Sequence, residues 1–141
     1  MEAFNCRLLN TEEALAALPS FDIGAIRRRD MFWTRVTPAM LRGMIINDAI
    51  GVAVHRNGGF LFLECSRDPD TDQRALHVFA AHAAAPGTFD DGARFVDHLA
   101  RDLGAAEITF GSERRGWQKI APRYGYNRRT HEEYVKRVSY E

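Results

Sequence analysis

Six cations stand within sixteen residues near the carboxyl end of the chain: Arg114, Arg115, Lys119, Arg123, Arg128 and Arg129, with Trp117 among them. Guanidinium and ammonium groups at that density can hold phosphates or carboxylates, so the segment could meet a nucleic-acid backbone or an acidic protein face. Glu113, Glu132 and Glu133 balance it in part, which also makes it read as an ordinary solvated surface. Trp117 follows Gly116 and suits either core packing or stacking on a ligand. A second run, Arg27 to Arg29, is open to the same readings. Titratable side chains on apolar strand patterns are Glu64, His77, His82 and Glu107. Each can move a proton inside a pocket, and each can equally be a solvated carboxylate or a hydrogen-bonded imidazole. The five histidines show neither His-x-x-x-His nor Glu-x-x-His spacing, so no metal site is expected.

The elements that must position these groups are legible along the chain. Residues 3–9 suit a strand, and Asn10 with Glu13 gives a capping signal for a helix to Leu18, ended by Pro19. Ser20 to Thr37 is irregular. Thr37-Pro38 then opens a helix through Asn47, with Met40, Leu41, Met44 and Ile45 at helical spacing. Gly51 to Arg56 and Phe60 to Cys65 flank Asn57-Gly58-Gly59, a hairpin signal because these residues tolerate the positive φ of tight turns. After an Asp- and Pro-rich turn, Ala75 to His82 reads as the third strand of an antiparallel meander. Asp90 and Asp91 stand at the start of a helix whose stripe is Phe95, Val96, Leu99 and Leu103, closed by Gly104. Ala106 to Phe110 is a strand, Glu113 to Tyr124 a short helix, and Arg128 to Val138 a long polar strand.

A chain of 141 residues with 45% apolar content supports one domain spanning 1–141. Lysine and arginine equal aspartate and glutamate at 19 each, so there is no global field for nucleic acid or membrane and any such contact must be local. No run approaches the roughly 20 apolar residues of a membrane span, so a soluble protein without membrane contact is expected. Cys6 and Cys65 lack Cys-x-x-Cys spacing and suit reduced core residues of a cytoplasmic protein.

Residues 104–138 run strand, short helix closed by Tyr124-Gly125-Tyr126, and strand. In this they resemble the carboxyl half of the GNAT superfamily of N-acetyltransferases, whose last helix usually ends in Gly-Phe before a final hairpin. The order of elements is similar over nearly the whole chain, and similarity of residues is concentrated from Gly87 to Val138. The resemblance implies an α+β, three-layer fold with a mixed, mostly antiparallel sheet flanked by helices. It also implies acetyl-CoA, held through its pyrophosphate by an Arg/Gln-x-x-Gly-x-Gly/Ala loop at the start of the central helix. The matching segment, Ala85-Pro86-Gly87-Thr88-Phe89-Asp90-Asp91, has no Arg or Gln in place, and its two carboxylates would repel a pyrophosphate.

If an acyl-CoA does bind, the resemblance points to the backbone near Phe79 and Ala81 for the acyl carbonyl, to Gly87 and Thr88 as a different cradle, and to the cations from Arg114 to Arg129 as a hold on the CoA phosphates. Glu64, Glu107 or His82 would then relay the amine proton. The family's general acid, a Tyr four residues before the signature glycine, falls here on Ala121, and Pro122 lies inside the same helix. Tyr124 and Tyr126 read as packing aromatics. Arg114 stands near the place of an Asn that commonly opens the helix. His131-Glu132-Glu133-Tyr134 is similar to the ends of small GNAT-like proteins of bacteriophages, including internal virion proteins of short-tailed phages. Loss of loop, acid and Asn together favours a non-catalytic interaction or assembly protein, cytoplasmic or virion-associated. Such a protein needs no cofactor and acts through a protein partner or homo-oligomer. The alternative is an acyl-CoA-dependent N-acetyltransferase with a degenerate pyrophosphate loop.

Overall fold

The computed structural model describes residues 1–24, 26, 36–112, 114–130 and 132–140; the Arg27 to Arg29 run, Glu113 and His131 lie outside them. The amino-terminal strand expected over 3–9 is two strands, β1 (Glu2–Ala3) and β2 (Cys6–Leu8). Phe4 and Asn5 take positive φ, 52° and 62°, and fold one strand back on the other. Helix α1 (Thr11–Ala17) starts in a full capping box. Asn10 accepts from the Glu13 N–H at 2.8 Å, and the Glu13 carboxylate accepts from the Asn10 N–H at 3.1 Å. Helix α2 (Pro38–Ile46) begins as its sequence requires, with the Thr37 hydroxyl accepting from the Met40 N–H.

Strands β3 (Gly51–His55), β4 (Phe60–Arg67) and β5 (Arg74–His82) form the expected meander. Helix α3 (Thr88–Asp102) carries the chain back over the sheet to β6 (Ala105–Gly111), which therefore lies parallel to β5. The expected helix over 113–124 is only one turn, α4 (Trp117–Ile120). Pro122 has no N–H to continue it, and Ala121–Tyr124 tightens into a 3₁₀ turn closed by Gly125 at φ 87°. The long last strand is also divided, into β7 (Asn127–Arg128) and β8 (Glu133–Arg137), paired antiparallel.

The sheet order is β1-β2-β3-β4-β5-β6-β8-β7, and every pairing except β5–β6 is antiparallel. Alternation along the strands feeds two cores, one on each face. On one face Leu63, Leu76 and Ile108 meet Phe95, Val96, Leu99 and Ala100 of α3 and Ala121 just beyond α4. On the other, Val52, Phe60, Phe62 and Ala80 meet Ala14 of α1 and Leu41 and Ile45 of α2. The result is the three-layer, mixed but mostly antiparallel architecture anticipated from the element order. No helix among the described residues is long and apolar enough to cross a membrane.

Candidate functional site

The site originates in a slip of register. Ala80 of β5 stands opposite Phe62 of β4 and Val78 opposite Leu63, so β5 carries one residue more than β4 and bulges at Phe79. A bulge increases local twist and bends its strand. The parallel pairing with β6 reaches Val78↔Phe110 and stops, while β5 continues for the four residues Phe79 to His82. Beyond that last rung the two strands part. Among the described residues no strand lies between their backbone edges at the mouth of the gap.

The gap is a cavity of about 260 Å³. Its β5 bank is Val78 to His82 and its opposite bank Phe110, Gly111 and Ser112, with Thr88, Phe89, Gly92 and Val96 of α3 across the end. Trp117, Tyr124 and Tyr126 close the α4 side. The volume falls below the roughly 300–1,000 Å³ of pockets that enclose a whole drug-sized ligand, so it suits the extended arm of one. The aromatic rings at the mouth touch. Phe89 lies 5.5 Å from Trp117 and 5.1 Å from Tyr124, centroid to centroid, and Trp117 also packs on Phe110. The Tyr124 hydroxyl donates to the Asp90 carboxylate, so the 3₁₀ turn after α4 is tied to α3 across the opening. That hydrogen bond, helped by burial, pushes the Tyr124 phenol above its ordinary value.

The amino end of α3 is capped by no side chain and enters from Gly87 at φ 83°. Its two acidic residues are engaged sideways. Asp91 accepts from His55 Nε2 at 2.7 Å and from Asn5 at 3.3 Å, and these bonds, His55 first, hold its carboxyl below the usual range. His55 Nδ1 accepts the Asn57 N–H, which fixes Nε2 as the protonated nitrogen that donates to Asp91. Burial, with Asp91 nearby, pushes the Cys6 thiol up to about 11, so it is a core residue and no nucleophile. Thr88 turns its hydroxyl and its N–H onto the Ala85 carbonyl and offers neither to a ligand.

The sequence-level candidates divide on this geometry. His82, Phe79, Ala81, Thr88, Arg114 and Trp117 line the cleft; Gly87, the residue before Thr88, does not. Glu64 and Glu107 do not line it. Arg129 binds Glu107 at 2.7 Å and Glu133 at 3.0 Å, so Glu107 belongs to an ion-pair group, whereas Glu64 stands on β4 opposite His77. Arg115, Lys119, Arg123 and Arg128 are exposed outside the cleft, and Cys65, expected in the core, is exposed as well. Tyr126 is the buried packing aromatic anticipated, its phenol pushed up by burial and then by Asp97. Ala121, where the family's acid would stand, is 1% exposed and packed in the core. His55 and Phe89 are site residues the sequence reading missed; His55, next to the hairpin turn, carried only a weak signal. Among the described residues no cluster of three potential metal ligands exists.

No family model and no curated protein matches this sequence. Solved structures do. A GNAT-family acetyltransferase from Listeria monocytogenes superposes with a TM-score of 0.65 at 11% identity, covering 94% of each chain. A ribosomal-protein-alanine N-acetyltransferase from Brucella melitensis biovar Abortus gives 0.62 at 15%, covering 89% of this chain and 94% of that one. The AtaTR structure bound with acetyl-CoA gives 0.58 at 12%, covering 94% and 92%. The chain therefore has the fold of the GNAT acetyltransferases.

Tested against the acetyl-CoA that this fold implies, the residues fit one part of the molecule. The slot between β5 and β6 accommodates a narrow, amide-bearing arm. The nucleotide diphosphate finds no such seat: residues 83–89 hold no cation, and the Thr88 hydroxyl is spent on the Ala85 carbonyl.

Proposed function

We propose that the cleft holds the thioester arm of an acyl donor and that the protein transfers the acyl group to an amine. The observation that carries this is the bulged β5, which runs four residues beyond its last rung with β6 over a half-open cavity. An open strand edge recognises an extended chain through its backbone N–H and C=O groups, as an added strand would be recognised. Donors fixed by the sheet cost no reorganisation when negative charge grows on a carbonyl oxygen, which assigns that role to the β5 backbone from Phe79 to Ala81. When bound, the thioester supplies the acyl carbon: the C–N bond to the amine forms, the C–S bond breaks with its electron pair leaving on sulfur, and the proton the amine gives up balances that thiolate as the free thiol.

His82 is the proton acceptor in this reading. It ends β5 at the cleft, and its ring rests on Phe60 at 5.5 Å, on the face opposite α3. The alternatives named from sequence, Glu64 and Glu107, lie outside the lining, and Glu107 is neutralised by Arg129. Glutamine at position 82 is expected to lower kcat while leaving arm binding unchanged.

Mapping amide shifts with S-acetylpantetheine, which carries the arm and no nucleotide, tests the reading. Shifts confined to Phe79–His82 and Gly111–Ser112 support it. Absence of shifts at millimolar probe overturns it in favour of a non-catalytic assembly protein, the reading that the buried Ala121 favours.

A further inference from the structure

We infer that the acyl donor is carried on an acidic protein as a phosphopantetheine thioester, and that the exposed cations around α4 dock that protein. The inference rests on the reading of the cleft as a thioester-arm site and concerns what lies at the arm's other end.

Three observations lead there. First, the cavity stops at the mouth. Phe89, Trp117 and Tyr124 form a contiguous aromatic rim, and the Tyr124 to Asp90 hydrogen bond ties that rim to α3. A nucleotide diphosphate leaving the slot along α3 would meet this rim, together with Asp90 and Asp91 and no cation from residues 83–89. The end of the donor that emerges is therefore not held as a nucleotide on α3.

Second, positive charge is present on the other bank. Arg114 lines the cleft, and Arg115, Lys119 and Arg123 follow it across the exposed surface of α4 and its 3₁₀ turn. None of these four forms an ion pair among the described residues, whereas Arg129 is tied to Glu107 and Glu133. Arg114 and Arg115 precede the single turn of α4, Lys119 lies on it and Arg123 on the 3₁₀ turn beyond, so the charge runs along the exposed surface from 114 to 123 rather than gathering at one phosphate. A patch of one sign suits a macromolecular surface of the opposite sign, where complementary charge speeds encounter and selects the partner.

Third, the patch and the cleft adjoin through Arg114, so one partner must satisfy both. An acidic protein bearing a phosphopantetheine arm does so: its surface meets Arg115, Lys119 and Arg123, its single phosphate lies by Arg114, and its arm enters the slot. A nucleic acid satisfies the patch and leaves the slot without an occupant.

The experiment compares four probes by calorimetry: S-acetylpantetheine, acetyl-CoA, an acetylated bacterial acyl carrier protein and a short RNA. S-acetylpantetheine and acetyl-CoA are expected to bind within about threefold of each other, because the nucleotide gains nothing. The carrier protein is expected to bind at least about tenfold tighter at low salt and to lose that gain at about 0.5 M salt. Joint charge reversal at Arg115→Glu, Lys119→Glu and Arg123→Glu is expected to abolish the gain and leave S-acetylpantetheine binding unchanged; these residues lie outside the cleft, and retained small-probe binding reports a folded protein. Acetyl-CoA binding about tenfold tighter than S-acetylpantetheine, a carrier protein no tighter than the free arm, or RNA tighter than the carrier would each overturn the inference. Failure of S-acetylpantetheine itself to bind overturns the cleft assignment instead.

Discussion

Gly59 joins the β3–β4 hairpin to the end of β5, and replacing it with alanine tests how the cleft's bank is built. Its φ is 108°, and an added Cβ would stand 2.7 Å from the His82 carbonyl oxygen and 3.4 Å from the Ala84 nitrogen. Both are backbone atoms, which cannot swing aside. Two other glycines separate the contributions. Gly104 ends α3 at φ 68° with nothing within 4 Å of a Cβ, and Gly43 lies inside α2, also with open space around it. Gly43→Ala should stabilise by about 1 kcal/mol through helix propensity. Gly104→Ala should cost about 1–2 kcal/mol for the left-handed backbone. Gly59→Ala carries that cost plus roughly 1–3 kcal/mol for the forced shift, about 2–5 in all. For a chain of this length each kcal/mol moves Tm by about 3–5 °C, so thermal unfolding resolves all three. Only Gly59→Ala should also weaken S-acetylpantetheine binding, since the displaced carbonyl belongs to His82. A Gly59→Ala cost equal to that of Gly104→Ala, with binding intact, would refute the claim that hairpin and β5 end are locked together.

Phe95→Ala removes a ring that is 0% exposed between α3 and the sheet. Urea unfolding should show a loss of about 3–5 kcal/mol, and a loss under 2 would mean the α3 core is looser than described. Asp91 governs part of the acid limb of stability. Its folded carboxyl is depressed by His55 and Asn5, so its contribution is complete above the ordinary carboxylate value of about 3.9 and fades as pH falls through the lower folded value. Asp91→Asn should be less stable at pH 7 and should lose less stability than the parent on acidification. Parallel pH profiles for the two proteins would contradict the assigned hydrogen bonds.

The parts of the fold set by local chemistry were readable from the residues. Asn57-Gly58-Gly59 announced its hairpin, and Asn10 with Glu13 announced the first cap, because turn and cap preferences act over a few positions. The divided first and last strands were not readable: positive φ at Phe4 goes against what that residue prefers and is held by the β1–β2 pairing. The bulge at Phe79 left no mark either, since Val78-Phe79-Ala80-Ala81 is apolar throughout and shows no break in alternation. Asp90 and Asp91 read as obstacles to a phosphate. Their actual partners, Tyr124, His55 and Asn5, lie 34 to 86 residues away, a distance over which spacing carries no information. Glu107 looked like a base for the same reason, its neutralising Arg129 being 22 residues distant.

The most direct test of the cleft is calorimetric titration of S-acetylpantetheine into the parent protein and into Ala81→Trp, whose indole would fill the gap from an exposed position on β5. Saturable heat is expected for the parent and none for the variant, with the variant still folded. Equal binding by both proteins, or none by the parent, would contradict the assignment of the cleft.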